Sequence, residues 1–374
     1  MNRIKRNILL NPGPATTTDS VKWAQVVPDI CPREDEFGHL MNSVTTDLTQ
    51  FVADNTDFTT VLFSGSGTSA VEAILCSSVS HDETLLIINN GAYGERMVKI
   101  ADTYKLNYEE FNSLPYEPLD LELLEQKIQT CSKKITHLAV VHHETTTGLL
   151  NQVKLIGDIC AKHDIDLIVD AMSTYAAIPI QMDEMNISYL AASSNKNLQG
   201  MAGISFVIAK VSRLEQLKHA EIRSYYLNLY EQYKYFFKNK QMRFTPPVQT
   251  MYALKQAIIE LKEEGISERY ARYTRSWERL ISGISRLGLS YLVPEAHHSK
   301  IITAIIEPDH AEYNFPNMHQ YFYKHNIMIY PGKLNQFKTF RIANIGAITY
   351  KDIDTFLELL EHYLTSISVI KYEL

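Results

Sequence analysis

Hydrophobic positions along the chain fall into two rhythms. Short β-branched runs occur at Thr60–Phe63, Leu85–Asn89, His137–Val141, Asp166–Val169 and Ile204–Ala209. Between the first two, Val71, Ile74, Leu75 and Val79 recur at i, i+3, i+4 and i+8, which is one face of a helix. Leu119–Thr130 and Val153–Lys162 read as two further helices. Strand–helix alternation of this kind predicts an α/β fold, a mostly parallel central sheet flanked by helices on both faces. The rhythm changes after about residue 245. Thr245-Pro246-Pro247 breaks the chain, and a long helix carrying Leu254, Ala257, Ile258 and Leu261 follows. Strands at Lys300–Ile306, Ile327–Tyr330 and Thr339–Ala343 and a closing helix predict a smaller α+β domain. That last helix places Ile353, Phe356, Leu357, Leu360 and Leu364 on one face, and Thr349-Tyr350-Lys351-Asp352 forms a capping box at its start. The expected division is residues 15–250 for the large domain and 251–374, with the N-terminal segment 1–14, for the small one.

Composition narrows the class without naming it. With 374 residues and 45% apolar content, the chain can bury a sizeable core. The 36 Lys+Arg against 43 Asp+Glu leave a net charge of −7, which argues against a nucleic-acid surface but permits a small basic pocket for an anionic metabolite. Four cysteines, Cys31, Cys76, Cys131 and Cys160, are widely spaced with no CxxC, so reduced thiols in a cytoplasmic protein are expected rather than zinc or disulfides. The basic start Met1–Arg6 is followed by only three apolar residues, too few for a signal peptide. No apolar run approaches a membrane span.

Candidate chemistry lies at the ends of the strands. Gly65-Ser66-Gly67-Thr68 joins a strand to a helix, either as a phosphate cradle at the helix N-terminus or as a tight capped turn. It is not a P-loop, because no Gly-Lys-Ser/Thr follows. Asp170 ends a strand where open α/β sheets bind ligands, and reads as a partner for a cationic ring nitrogen or a metal, or as an N-cap. Lys196 stands in a small, polar, nearly charge-free segment from Ala191 to Gly200. There it would have a lowered pKa and nucleophilic character, against the alternative of a solvated loop lysine. Arg341 suits bidentate binding of carboxylate or phosphonate, or forms a surface ion pair. His142-His143 and His297-His298 lack the spacing of a helical metal site, so a structural or polar pocket role is expected and no metal. A cradle, a strand-end Asp and a lysine 26 residues on together match what pyridoxal 5′-phosphate requires: anchorage of the phosphate, an acid for the ring nitrogen and an amine for the aldehyde.

From about Leu9 to Gly346 the chain resembles the class V, fold-type I PLP aminotransferases. The matching segments are Leu10–Pro14 with Thr16-Thr17, Gly65–Ala73, Asn90–Gly94, His142–Gly148, Val169–Ser173, Lys196, Arg243–Pro247, Tyr330–Leu334 and Phe340-Arg341. The resemblance implies the fold-type I architecture, with the large domain as the PLP-binding one, and a homodimer with shared active sites. It implies that Lys196 binds the cofactor aldehyde and shuttles the proton, and that Asp170 pairs with the pyridinium nitrogen. Ser66, Gly67 and Thr68 would bind the phosphate, with Thr245 reaching the phosphate of the neighbouring subunit. Tyr93 would stack on the ring, Thr145 would contact the phenolic oxygen, and Arg341 would bind the substrate anion. The segments Arg243-Phe244-Thr245 and Tyr330–Lys333 favour the phosphonate branch, which transfers an amino group between 2-aminoethylphosphonate and pyruvate, giving phosphonoacetaldehyde and L-alanine. Alanine–glyoxylate or serine–pyruvate transfer is the alternative. All four cysteines precede Lys196, which disfavours a desulfurase, and no segment outside the match remains for a DNA-binding regulator. The chain departs from the family pattern at Asn195, Asn197 and Gln199, where Gly, Cys and Glu are usual, and at His143, where Cys is common. Asn195 would add a phosphate contact.

Overall fold

The computed structural model describes residues 4–332, 334 and 336–370. Lys333, part of the Tyr330–Leu334 segment above, lies outside the described residues, as do Met1, Asn2 and Arg3 of the basic start.

Seven strands form the central sheet: β1 (Phe58–Ser64), β2 (Leu85–Asn89), β3 (Tyr108–Asn112), β4 (His137–Val141), β5 (Asp166–Asp170), β6 (Ile187–Ser193) and β7 (Ile204–Lys210). Their spatial order is β1-β7-β6-β5-β4-β2-β3. Pairs β3–β2, β2–β4, β4–β5 and β5–β6 are parallel. The five predicted runs fall within five of these strands, and Leu85–Asn89 and His137–Val141 coincide with theirs. Strand β7 runs antiparallel to both β1 and β6. The reason is the short connection from β6, residues 194–203, which contains no helix. A parallel return needs a crossover of a dozen residues or more, usually helical.

Side chains alternate across the sheet with period two. Leu138, Val140, Leu167 and Val169 enter one apolar cluster, and Ala139, Val141 and Ile168 enter the other. Helices cover both faces, among them α1 (Asp35–Gln50), α2 (Gly67–Ser78), α3 (Ala92–Tyr104) and α4 (Val153–Lys162). The face predicted for Val71, Ile74, Leu75 and Val79 is buried against β7 and β6.

Beyond Pro247 come α5 (Val248–Glu264) and α6 (Ile266–Arg286), parted by Gly265 at φ +82°. Leu254, Ile258 and Leu261 of α5 enter the same cluster as the central sheet, and α5 packs on α1. The three-stranded sheet β8 (Ile302–Ile306), β9 (Tyr330–Pro331) and β10 (Thr339–Ala343) has the antiparallel order β8-β10-β9. Against it pack α6 and the closing helix α7 (Tyr350–Ser366), which starts with the expected Thr349–Asp352 capping box. Residues Ile8–Leu9 pair in parallel with Ile327–Met328, tying the N-terminal segment to this second unit. Among the described residues no helix is long and apolar enough to cross a membrane.

Candidate active site

The C-terminal ends of β4, β5 and β6 open onto one cavity of about 540 Å³. Val141, Asp170 and Ser193, the last residues of those strands, line it. Parallel α/β sheets place ligands at this edge. Of the residues singled out in the sequence, Ser66, Gly67, Thr68, Tyr93, Thr145, Asp170, Asn195 and Lys196 all line this one cavity. Arg341 stands behind Thr145: its Nη1 donates to the Thr145 carbonyl at 3.2 Å and its Nε to that of Pro331 at 3.0 Å. Thr245 does not line the cavity and is exposed to solvent.

The Gly65–Thr68 turn carries no side-chain cap. Ser66 occupies the N-cap of α2 at φ −76°, ψ 166°, yet its side chain caps nothing. Ser69 donates its hydroxyl back to the Ser66 carbonyl instead. The Ser69 N–H is bonded to the Ser66 carbonyl at 2.9 Å, which leaves those of Gly67 and Thr68 open to an anion at the positive end of the helix dipole.

Lys196 lies in the β6–β7 connection with its ammonium buried. Its Nζ donates to the Pro12 carbonyl at 2.7 Å. Gly13, at φ +143°, lies so close that a Cβ there would overlap the lysine side chain. Burial pushes the Lys196 amine down to about 8, and the positive charges of Arg341 and Arg96 act in the same direction against Asp170. Asp170 accepts the Met172 N–H at 2.9 Å. Burial pushes its carboxyl up to about 6, while that N–H and the charges of Arg96 and Lys196 pull the other way. Arg341 is 2% exposed and has the Tyr330 ring 5.6 Å from its guanidinium carbon. Burial lowers its pKa, opposed by Tyr93 and Glu144.

Two departures from the family pattern lie outside the cavity. Asn197 is fully buried and its Nδ2 donates to the carbonyls of Ser173 and Tyr175. Gln199 adopts φ +62° and donates to the Tyr273 hydroxyl at 3.0 Å. Both therefore brace the lysine-bearing turn. His143 does line the cavity, with Nδ1 bonded to Ser173 Oγ at 3.0 Å. His142 sits behind it, bonded to Thr174, and burial pushes it down to about 4. Both imidazoles are neutral near pH 7. Among the described residues no group of His, Cys, Asp and Glu is arranged to hold a metal ion.

Sequence reasoning missed Arg96, Met172, Ser173 and Pro12 as parts of the site. For Arg96 a signal existed: it follows Tyr93 by three positions on α3, and such residues share a helix face.

A half-buried lysine, a strand-end carboxylate and an uncapped helix N-terminus meet in one cavity of this α/β scaffold, with a buried arginine hydrogen-bonded to its wall, and the family match places that arrangement in an aminotransferase. The aminotransferase class-V family model matches residues 23–336, and the chain belongs to that family. It is 39% identical over 358 residues to a 2-aminoethylphosphonate–pyruvate transaminase of Lysinibacillus sphaericus, covering 95% of this chain and 97% of that one. It is 38% identical to a bifunctional phosphonoacetaldehyde hydrolase/aminoethylphosphonate transaminase of Clostridioides difficile, covering 96% of this chain and 56% of the longer relative. Among solved structures, an alanine–glyoxylate aminotransferase of Nostoc superposes with a TM-score of 0.89 at 25% identity, over 97% of this chain and 96% of that one.

Proposed function

We propose that this aminotransferase moves an amino group between 2-aminoethylphosphonate and pyruvate, giving phosphonoacetaldehyde and L-alanine, with pyridoxal 5′-phosphate as cofactor. The observation that carries the reading is the convergence of Lys196, Asp170 and the Ser66–Thr68 turn in one cavity, with Arg341 bonded to the carbonyl of Thr145 in its wall. The full-length likeness to transaminases named for this reaction supports the choice of substrate. The site fits the cofactor on its own terms: Thr145 Oγ1 is buried without a partner in the cavity wall, as a hydroxyl awaiting an oxygen of a bound ring would be. Lys196 Nζ, the cradle N–H groups and Asp170 supply the other three contacts such a group needs. When bound, the cofactor supplies an aldehyde for the amine and an electron-accepting ring.

The chain's own residues then divide the work. Lys196 Nζ would take the proton from the carbon bearing the substrate amine and deliver it to the former aldehyde carbon of the cofactor, ending as the free amine. The Asp170 carboxylate holds a proton on the ring nitrogen. Tyr93, on the first turn of α3, forms the aromatic face over the ring, and Asn195 adds a polar contact to the phosphate. Arg341 receives the phosphonate in one half-reaction and the carboxylate in the other, a shared anion site that a planar guanidinium suits. No cysteine among the described residues lines the cavity, so no thiol stands where sulfur transfer would require one. The fused hydrolase of the Clostridioides relative, which by its name acts on phosphonoacetaldehyde, fits use of the reaction for breakdown of the aminophosphonate.

A donor–acceptor screen tests the substrate. Alanine formed from 2-aminoethylphosphonate and pyruvate should far exceed product from serine–pyruvate or alanine–glyoxylate pairs, and the reverse ranking rejects the phosphonate reading. Within that screen Arg341→Gln is expected to lower kcat/KM for both 2-aminoethylphosphonate and pyruvate by roughly 10²- to 10³-fold, mainly through KM, because it removes a desolvated charge that pairs with each anion. An unchanged KM for pyruvate would place the anion site elsewhere.

The family resemblance implies a homodimer in which Thr245 completes the cofactor site of the second copy, and its exposed position away from the cavity of its own subunit is compatible with that. Mixing Lys196→Ala with Thr245→Glu subunits distinguishes the two arrangements. If Thr245 serves the other subunit, half of the dimers are hybrids with one intact site, and activity returns to about a quarter of wild type. If it serves its own subunit, no mixture regains activity.

A further inference from the structure

The division of work above leaves one cation of the cavity without a task. Arg96 lines the cavity, and apart from Lys196 it is the only Lys or Arg to do so among the described residues. Its guanidinium carbon lies 4.8 Å from the centre of the Tyr93 ring. Its Nη1 donates to Thr68 Oγ1 at 3.3 Å. The group therefore reaches from the aromatic face to the second residue of α2, which is the anion cradle itself. Among the described residues no ion pair ties it to a carboxylate, and its recorded hydrogen bond is the one to Thr68.

Charge balance says what this guanidinium should meet. A phosphate monoester carries about −1.5 to −2 at neutral pH, and a helix N-terminus offers the equivalent of only about half a positive charge. Lys196 would be committed to the aldehyde end of the cofactor, and Arg341 bonds the Thr145 carbonyl, away from the cradle. Arg96 is the full positive charge left at the cradle. We propose that Arg96 is a ligand of the cofactor phosphate, held in place by the Tyr93 ring and the Thr68 hydroxyl, and that it thereby joins the ring-covering residue to the phosphate cradle. The proposal rests on the pyridoxal phosphate reading above. Its charge also bears on Asp170 and Lys196, favouring the ionised carboxylate and the neutral amine.

The test compares two probes that differ only in the phosphate. Apoenzyme of wild type, Arg96→Gln and Arg96→Lys is titrated with pyridoxal 5′-phosphate and with pyridoxal, following the absorbance of the lysine-bound cofactor. Loss of a charge-assisted contact should raise the half-saturating concentration of pyridoxal phosphate roughly 10- to 100-fold in Arg96→Gln. Arg96→Lys keeps the charge and should lose less than about tenfold. Binding of pyridoxal should weaken far less than that of pyridoxal phosphate in both variants, by no more than the small effect of the Arg96 charge on Lys196 and Asp170. Equal weakening of the two probes would make Arg96 a support for Tyr93 alone and overturn the proposal. So would unchanged binding of pyridoxal phosphate, or an effect confined to KM for the aminophosphonate. Failure of wild type to take up pyridoxal phosphate would instead overturn the cofactor reading itself, so the two failures are distinguishable. Arg96 is exposed, and its replacement does not open the core.

Discussion

Lys196→Ala should lower amino transfer by about 10⁴-fold or more, because on the proposed function it removes both the group that captures the cofactor and the base that moves the proton. The absorbance of the lysine-bound cofactor should vanish while the circular dichroism spectrum stays that of wild type. Retention of that band in the variant would reject Lys196 as the attachment point. The same residue predicts a pH dependence. Its amine has a pKa of about 8 rather than the ordinary 10.5, chiefly because it is buried. Only the neutral amine attacks an aldehyde. Capture of pyridoxal phosphate by apoenzyme should therefore quicken about tenfold per pH unit below pH 8 and level off above it. A solvated lysine would keep gaining up to about pH 10.5, so the position of the plateau reads the burial of this group directly.

The parts legible in the sequence are those governed by local rules. The strands β2 and β4 are dense in β-branched and aliphatic residues, and their burial on both faces made them visible. The capping box at Thr349–Asp352 is a four-residue signal and formed as read. Lys196 stood out because its neighbours are small and uncharged, and its amine is desolvated by burial in the fold. What stayed hidden depends on distance across the fold. Strand β3, Tyr108–Asn112, sits at the sheet edge with half-exposed polar residues and carries no apolar run. The antiparallel direction of β7 follows from the shortness of residues 194–203, and only the spatial order of strands shows it. Pro12 enters the site from the far end of the chain through a single carbonyl, with a sequence separation of 184 from the lysine it holds. Asn197 and Gln199 looked like changes in the active site because they flank Lys196. Their side chains turn instead toward Ser173, Tyr175 and Tyr273. In a tight turn adjacent residues point in different directions, so proximity in sequence overstated their part in the chemistry.

Asp170→Asn should have opposite effects on activity and on stability of the apoenzyme. The carboxyl is buried at the end of β5, where it accepts one N–H from Met172 and meets no ion-pair partner within bonding distance among the described residues. Its pKa rises from 3.8 to about 6, so the folded state binds more protons than the unfolded state between those values. Stability therefore falls as pH rises through that window, and the full penalty, roughly 3 kcal/mol, is present above about pH 6. Asparagine keeps the Oδ1 that accepts the Met172 N–H and carries no charge to desolvate. At pH 8 the Asn variant of the apoenzyme should consequently melt several degrees higher than wild type, and the difference should shrink toward pH 4. A variant that melts lower at pH 8 would show that Asp170 already has a compensating partner without the cofactor. Activity should move the other way, by about 10³-fold, because a neutral amide cannot hold a proton on the cofactor's ring nitrogen as an anion does. The Met172 N–H and the charges of Arg96 and Lys196 offset the buried charge only in part, so on the proposed function a cationic ring nitrogen would supply the rest, and the stability of the apoenzyme would measure how far this site is built for its ligand rather than for the fold.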